Sequence, residues 1–146
     1  MPSHPFTSPW RTTMMLTNLV YCFGAFIMDY GETHVLNPRW PPHARFHNGQ
    51  TMSLGVLLCS MVGFVLTRPS ESKKEAKNNV TTAGLIGSMY CTAGMTAILY
   101  PGTNWSDPEF EDPGQKWLFS GLVVINLAAM VMEWVHIDRT WDKKRR

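Results

Sequence analysis

The segment NGQTMSLGVLLCSMVGFVLT, residues Asn48–Thr67, carries no charged side chain over 20 residues. Three other stretches share this property, namely Thr12–Met28, Asn78–Ser106 and Trp117–Met132. A bilayer core about 30 Å thick needs about 20 helical residues, with about 17 as the lower limit. A helix of a water-soluble bundle normally has a charged face, and these stretches have none. The pattern therefore predicts an all-α polytopic membrane protein, a bundle of four transmembrane helices.

The uncharged stretches place the predicted helices near residues 12–29, 49–67, 80–100 and 116–136 of a single membrane domain, residues 1–146, with a tail at 137–146. Only 16% of the residues are charged, against about 25% in an average soluble protein. The net charge of +2 lacks the basic excess of a nucleic-acid-binding protein. Small residues favour close helix contacts in lipid, and the third helix is rich in them: Gly84, Gly87, Gly94, Thr92 and Thr96.

The basic residues are distributed unevenly between the two sides of the predicted bundle. Ten of the 13 Lys and Arg residues fall on the side of the termini, and three fall on the side of the first and third loops. Because cytoplasmic segments carry an excess of Lys and Arg, both termini are predicted to be cytosolic. Lys143–Arg146 matches a dilysine retrieval signal, which is an address read by a receptor. These observations together predict the endoplasmic reticulum membrane.

Four polar or charged side chains lie within or close to the predicted spans, where such groups are costly and often functional. Asn18 and Glu133 are predicted at similar depth near the cytosolic face, where they can pair. The alternative for Glu133 and His136 is contact with the lipid headgroups. Asn126 lies nearer the middle of the membrane, where an interhelical hydrogen bond is the default and a substrate contact is the alternative.

Chemically active side chains are concentrated between Asp29 and Gln50. The three prolines of this segment restrict its backbone, which predicts a structured first loop on the lumenal side. A carboxylate at the membrane edge is partly desolvated, which raises its pKa towards a range useful for proton transfer, and histidine titrates near that range unaided. The predicted catalytic residues are Asp29, Glu32, His34, His43 and His47; the predicted substrate-binding residues are Trp40 as a wall of the cavity, Arg45 as an orienting residue, Gln50 and Asn126.

Metal binding is the competing interpretation of the same residues. His43 and His47 are four residues apart, which places both on one face if the segment is helical. His34, Glu32 and Asp29 would complete a site of mixed nitrogen and oxygen ligands. No fuller metal-binding motif is present, so neither a metal nor a cofactor is assigned.

The residues from Asn37 to His47 read NPRWPPHARFH. This motif resembles the signature of a poorly characterised family of small four-helix membrane proteins that is common in fungi. The overall plan, with Asp29 ending the first helix, a long lumenal loop and a basic tail, resembles the EXPERA superfamily of sterol-isomerase (emopamil-binding) and sigma-2-receptor-like proteins. That resemblance implies a hydrophobic cavity in which a His and acidic residues move a double bond by protonation and deprotonation.

These observations predict a small integral membrane enzyme that needs no cofactor, an isomerase, cyclase or lyase acting on a terpenoid, sterol or polyketide-like metabolite. Its predicted partners are this hydrophobic substrate and the lipid bilayer; a homodimer or a complex with other membrane enzymes is left open. The main alternative is a non-catalytic lipid-binding or accessory membrane protein. A metal-dependent enzyme and a transporter rank lower, the transporter because no charged residue lies at mid-membrane to mark an ion path.

N-glycosylation reporters test the predicted topology. A reporter inserted between Asp29 and Gln50 is expected to be glycosylated in microsomes, because that loop is predicted to be lumenal. A reporter inserted within Ser70–Lys77 is expected to stay unmodified, because that loop is predicted to be cytosolic. Glycosylation of the Ser70–Lys77 reporter would contradict the topology.

Overall fold

Four α-helices make up the computed structural model, which describes residues 8–111 and 114–141. In chain order they are α1 (Pro9–Asp29), α2 (Pro42–Thr67), α3 (Lys73–Thr96) and α4 (Gln115–Thr140), and a short 3₁₀ turn, Ala97–Leu99, extends α3. The described residues contain no β-strand. The predicted all-α fold is therefore confirmed.

The helices pack as a bundle in which each helix contacts the next one in the chain, and α4 also packs against α1. The start of α1 meets the end of α2, where Arg11 Nη1 donates to the Leu66 carbonyl at 2.9 Å. The end of α1 meets the start of α2, where Asn48 Nδ2 donates to Asp29 Oδ2 at 3.3 Å. α1 and α2 therefore run antiparallel, and the first loop lies at the Asp29 end of the bundle.

The helices extend beyond their predicted bounds, most of all at α2, α3 and α4. α2 begins at Pro42 rather than near residue 49, α3 begins at Lys73 rather than near residue 80, and α4 continues to Thr140, inside the predicted tail. Uncharged stretches mark apolar surface, and a helix can continue past them through polar turns. Two sequence signals mark the earlier starts: a proline in the first turn of α2, and Ser72, which caps α3 by accepting from Glu75 N at 3.1 Å.

Three helices of the described chain are long and apolar enough to cross a membrane: α2, α3 with its 3₁₀ extension, and α4. α1 is not among the three. Its polar side chains, however, face the interior, where Arg11, Thr17 and Asn18 are buried, whereas Phe23 and Ile27 on its other face are exposed. α1 therefore presents an apolar surface to its surroundings.

A buried ion pair joins α1 to α4. Arg11 Nε lies 2.6 Å from Glu133 Oε1, and both side chains are at most 3% exposed. The Ser8 hydroxyl also donates to Glu133. Glu133 therefore pairs with Arg11, and the predicted contacts of Glu133 with Asn18 or with the lipid headgroups are not formed. The reason is that a buried carboxylate requires an opposite charge, which Arg11 supplies.

Asn18 and Asn126 form the centre of a polar network inside the bundle. Asn126 Nδ2 donates to the Gly84 carbonyl at 2.8 Å and to Ser88 Oγ at 3.0 Å, which joins α4 to α3. Asn18 Nδ2 lies 3.5 Å from Asn126 Oδ1, and Asn18 Oδ1 accepts from the Tyr21 hydroxyl at 2.7 Å. Buried amides need such partners, and Asn126 makes the interhelical hydrogen bonds expected of it.

Glycines in α3 let neighbouring helices approach closely. A methyl group on Gly87 would lie 2.7 Å from Asn18 Nδ2, and side chains of α4 approach Gly84 and Gly94 in the same way. The prediction that small residues of α3 mediate close helix contacts therefore holds for these three glycines. The two threonines of that prediction are exposed.

The approach of Asn18 to Gly87 gives a stability prediction. Gly87→Ala is expected to lower the free energy of unfolding by about 1–3 kcal/mol, because the fully buried Asn18 amide is held by hydrogen bonds and cannot move aside. Gly24→Ala is the matched control, since nothing lies within 4 Å of its added methyl group. Thermal unfolding of both variants in detergent measures the difference, and equal melting temperatures would contradict the proposed packing.

Candidate functional site

The loop between α1 and α2 is shaped by its own hydrogen bonds. Asn37, which is 2% exposed, accepts from Arg39 N through its Oδ1 atom at 2.9 Å. Arg45 Nη2 reaches back from α2 to the Asn37 carbonyl at 2.7 Å. The loop spans residues 30–41 rather than extending to Gln50, because α2 already begins at Pro42.

Asp29 and His34 form a pair where α1 ends. Asp29 lies just beyond the uncharged stretch Thr12–Met28, and its Oδ1 atom is 4.0 Å from His34 Nε2. Asn48 Nδ2, from α2, donates to Asp29 Oδ2 at 3.3 Å. Burial raises the pKa of Asp29, while the neighbouring His34 and the Asn48 hydrogen bond lower it in part. Because burial outweighs the other two effects, the Asp29 carboxyl group holds its proton to higher pH than an exposed Asp.

Aromatic side chains lie near this pair. The Trp40 ring and the His34 imidazole form a T-shaped contact with 5.3 Å between centroids. Tyr90 of α3 lies within electrostatic range of the Asp29 carboxylate, and its ring stacks on Tyr21 with centroids 5.0 Å apart. Sequence reasoning missed Tyr90, because it lies inside an uncharged stretch far along the chain and only the bundle brings it near Asp29.

His43, His47 and Gln50 lie on the exposed face of α2. At about 100° per residue, His43 and Gln50 are about 140° and 160° around the helix from Asn48, and His47 is about 100° from it. The Nε2 atoms of His43 and His47 are 3.0 Å apart, and His47 Nδ1 lies 3.2 Å from Gln50 Oε1. Of the residues predicted to be catalytic, His43 and His47 therefore contact each other and not Asp29 or His34.

The remaining predicted site residues lie apart from the pair. Glu32 is exposed and forms no hydrogen bond or ion pair within the described part of the chain. Arg45 holds the loop through Asn37 instead of orienting a carboxylate. Its Nε atom and Asn48 Oδ1 are buried and have no hydrogen-bond partner among residues 8–111 and 114–141. Asn126 belongs to the central network, bonded to α3.

The mixed metal site considered from the sequence does not form in the described residues. No group of three or more His, Cys, Asp or Glu side chains there is arranged to hold a metal ion. The reason is geometric: α2 is helical from Pro42 onward, so His43 and His47 project outward, whereas Asp29 lies against the inner face of α2.

The fold and the site define a class: a small all-helical protein whose four helices enclose a polar network within an apolar core and expose many large apolar side chains. Residues 14–144 match DUF6640, a family of unknown function, and the chain belongs to this family. No curated protein and no solved structure is significantly similar to the chain. The family assignment agrees with the predicted membership of a poorly characterised family.

The Asp29–His34 contact gives a pH prediction. Protonated His34 stabilises the Asp29 carboxylate and thereby lowers its pKa, so His34→Gln is expected to raise the pKa of Asp29. Infrared difference spectra of the carboxyl band, assigned with Asp29→Asn, follow the titration. His43→Gln is the matched control, because it removes a histidine from the other face of α2. An unchanged Asp29 titration in His34→Gln would show that the two groups do not interact.

Proposed function

We propose that the protein is a small membrane enzyme in which Asp29 and His34 carry out acid–base chemistry on a lipophilic substrate. The position of the pair supports this most directly, since the two side chains are 16% and 39% exposed where an apolar-surfaced bundle meets a polar loop. A substrate whose body lies in the membrane can reach these groups, and water can reach them from the loop. Glu32, His43 and His47 lie away from the pair and take no part in the proposed reaction.

All four helices, α1 included, are proposed to cross the bilayer. α1 has 21 residues, which exceeds the lower limit of about 17 for a transmembrane helix. Ionisable groups within membranes face the bundle interior and pair with one another. Arg11 is paired with Glu133, so the charge of α1 is compatible with a position in lipid.

The first loop is proposed to be lumenal and both termini cytosolic. The unequal division of the basic residues, ten of 13 on the side of the termini, supports this orientation. The endoplasmic reticulum location rests on the sequence alone, because Lys143–Arg146 lies outside the described residues.

In the proposed reaction, protonated Asp29 donates its proton to one carbon of a C=C bond. The π electrons form the new C–H bond and leave a carbocation on the other carbon. Neutral His34 then removes a proton from an adjacent carbon, whose C–H electrons form the shifted double bond, and the proton passes from His34 to the Asp29 carboxylate. Capture of the cation by a second C=C bond before proton loss would give a cyclisation. Trp40, beside His34, offers an aromatic face to the cation.

The architecture favours the same class of reaction by resemblance. As in the EXPERA superfamily, an acidic residue ends the first helix and a polar loop follows it. This resemblance concerns the overall plan and not individual positions. Asp29 and His34 are therefore assigned from their geometry, and no cofactor is required by the proposed steps.

Lipid binding without catalysis is the second candidate, and a groove between α1 and α2 favours it. The groove has a volume of about 460 Å³ and is lined by mainly apolar side chains, among them Met15, Cys22 and Phe64. Ligand sites commonly measure about 300–1,000 Å³. Cys22 lies about 10 Å from Asp29 along α1, so a hydrocarbon chain held in the groove would stay clear of the acid–base pair.

Deuterium incorporation tests the enzyme proposal. Microsomes that contain the protein, incubated in D₂O, are expected to produce a neutral lipid that carries carbon-bound deuterium, because the acidic protons of the partly exposed Asp29 and His34 exchange with solvent between turnovers. Asp29→Asn is expected to lower the rate of incorporation by about 10²–10⁴-fold, since an amide cannot donate that proton. Mass spectrometry of extracted lipids measures the product.

Glu111→Gln is the matched control, because it neutralises an exposed carboxylate of the third loop. Rates are normalised to the amount of inserted protein. Full incorporation in Asp29→Asn would remove Asp29 from the reaction. If incorporation does not exceed that of protein-free microsomes, the enzyme proposal is contradicted, and lipid binding in the groove becomes the better-supported function.

A further inference from the structure

The exposed face of α2 carries a pair of imidazoles whose nitrogens point at each other. His43 Nε2 and His47 Nε2 are 3.0 Å apart, so in the absence of other ligands one ring donates its N–H to the lone pair of the other. Both residues belong to one helix, Pro42–Thr67, and are one turn apart. The backbone therefore fixes their spacing.

This nitrogen–nitrogen distance is close to the distance between two nitrogen ligands bound to one metal ion. Imidazole nitrogens bind divalent metals at about 2.0–2.1 Å, so two nitrogens at 90° around an ion are about 2.9 Å apart, and two at a tetrahedral angle about 3.4 Å apart. The distance of 3.0 Å between the His43 and His47 Nε2 atoms is close to the 90° value. It favours the tetragonal geometry preferred by Cu²⁺ and Ni²⁺ over the tetrahedral geometry of Zn²⁺.

Neighbouring side chains orient the two rings. Gln50 Oε1 lies 3.2 Å from His47 Nδ1, and as an acceptor it holds the proton on Nδ1 and leaves the Nε2 lone pair free. Metal-binding histidines characteristically donate their second ring N–H to such an oxygen. The His43 ring stacks almost parallel on Phe46, with 6.0 Å between centroids, which limits its rotation.

We propose that His43 and His47 bind a divalent transition-metal ion, with Cu²⁺ preferred, in a site completed by water. When the ion binds, the proton on His43 Nε2 moves through water to His43 Nδ1, so that both rings bind as neutral imidazoles through their Nε2 lone pairs. Cu²⁺ is preferred because it forms the most stable complexes of the first-row divalent metals and suits the 90° arrangement. With two protein ligands the site takes up and releases metal rather than supporting the fold.

The proposed metal site is independent of the acid–base proposal. It lies on the exposed face of α2, whereas Asn48, the α2 residue that contacts Asp29, is turned towards α1. A bound ion would bridge the first two turns of α2, the part of the helix from which Arg45 holds the loop. An experiment can therefore contradict the metal-site proposal without contradicting the acid–base proposal, and the reverse also holds.

Copper binding by the full chain in detergent micelles tests the proposal. Titration with Cu²⁺ followed by electron paramagnetic resonance is expected to show one strong site per chain, with hyperfine splitting from two imidazole nitrogens. His43→Gln and His47→Gln are each expected to abolish the two-nitrogen spectrum. Gln50→Leu is expected to weaken Cu²⁺ binding about 10–100-fold, since it removes the acceptor that orients His47.

His34→Gln is the matched control, because it removes another histidine at the same end of the bundle and should leave the spectrum unchanged. Circular dichroism of the metal-free variants confirms folding, which substitutions at these exposed positions should not affect. A two-nitrogen spectrum that survives in the His43→Gln, His47→Gln double variant would overturn the proposal. So would the absence of a two-nitrogen spectrum in the unmutated protein.

Discussion

The buried ion pair between Arg11 and Glu133 is the contact on which the rest of the bundle depends. Removing one partner of such a pair leaves an uncompensated buried charge, which typically costs about 3–5 kcal/mol. Arg11 also bonds the Leu66 carbonyl, so one guanidinium links α1 to the ends of both α2 and α4. This contact fixes the position of α1 along the bundle axis. Asp29 then lies about 27 Å from Arg11, at the other end of α1.

Between these ends the interior of the bundle holds a polar network within a mainly apolar core. The Asn18–Asn126 network occupies the centre, and Gly87 provides the space for Asn18. Large apolar side chains cover the outside. Because the polar side chains Arg11, Thr17 and Asn18 are buried, α1 presents an apolar surface as the other helices do.

α2 separates two kinds of chemistry. Its inner face carries Asn48, which donates a hydrogen bond to Asp29 next to His34, in the proposed acid–base site. Its outer face carries His43 and His47, whose rings face each other and not the carboxylate. Residues that are close in sequence thus contact different groups, because successive helical positions differ by about 100° in direction.

The sequence by itself determined the four helices, since uncharged stretches of this length have few other stable conformations, and it marked the polar segment after Asp29 as the candidate site. It did not determine the start of α2, because the polar turn from Pro42 to Asn48 is helical without being apolar. Only the tertiary structure decided that Glu133 pairs with Arg11, that Tyr90 lies near Asp29 and that His43 and His47 turn away from it. Those outcomes depend on which helix faces meet across the bundle, and residue type and spacing along one chain do not specify that packing.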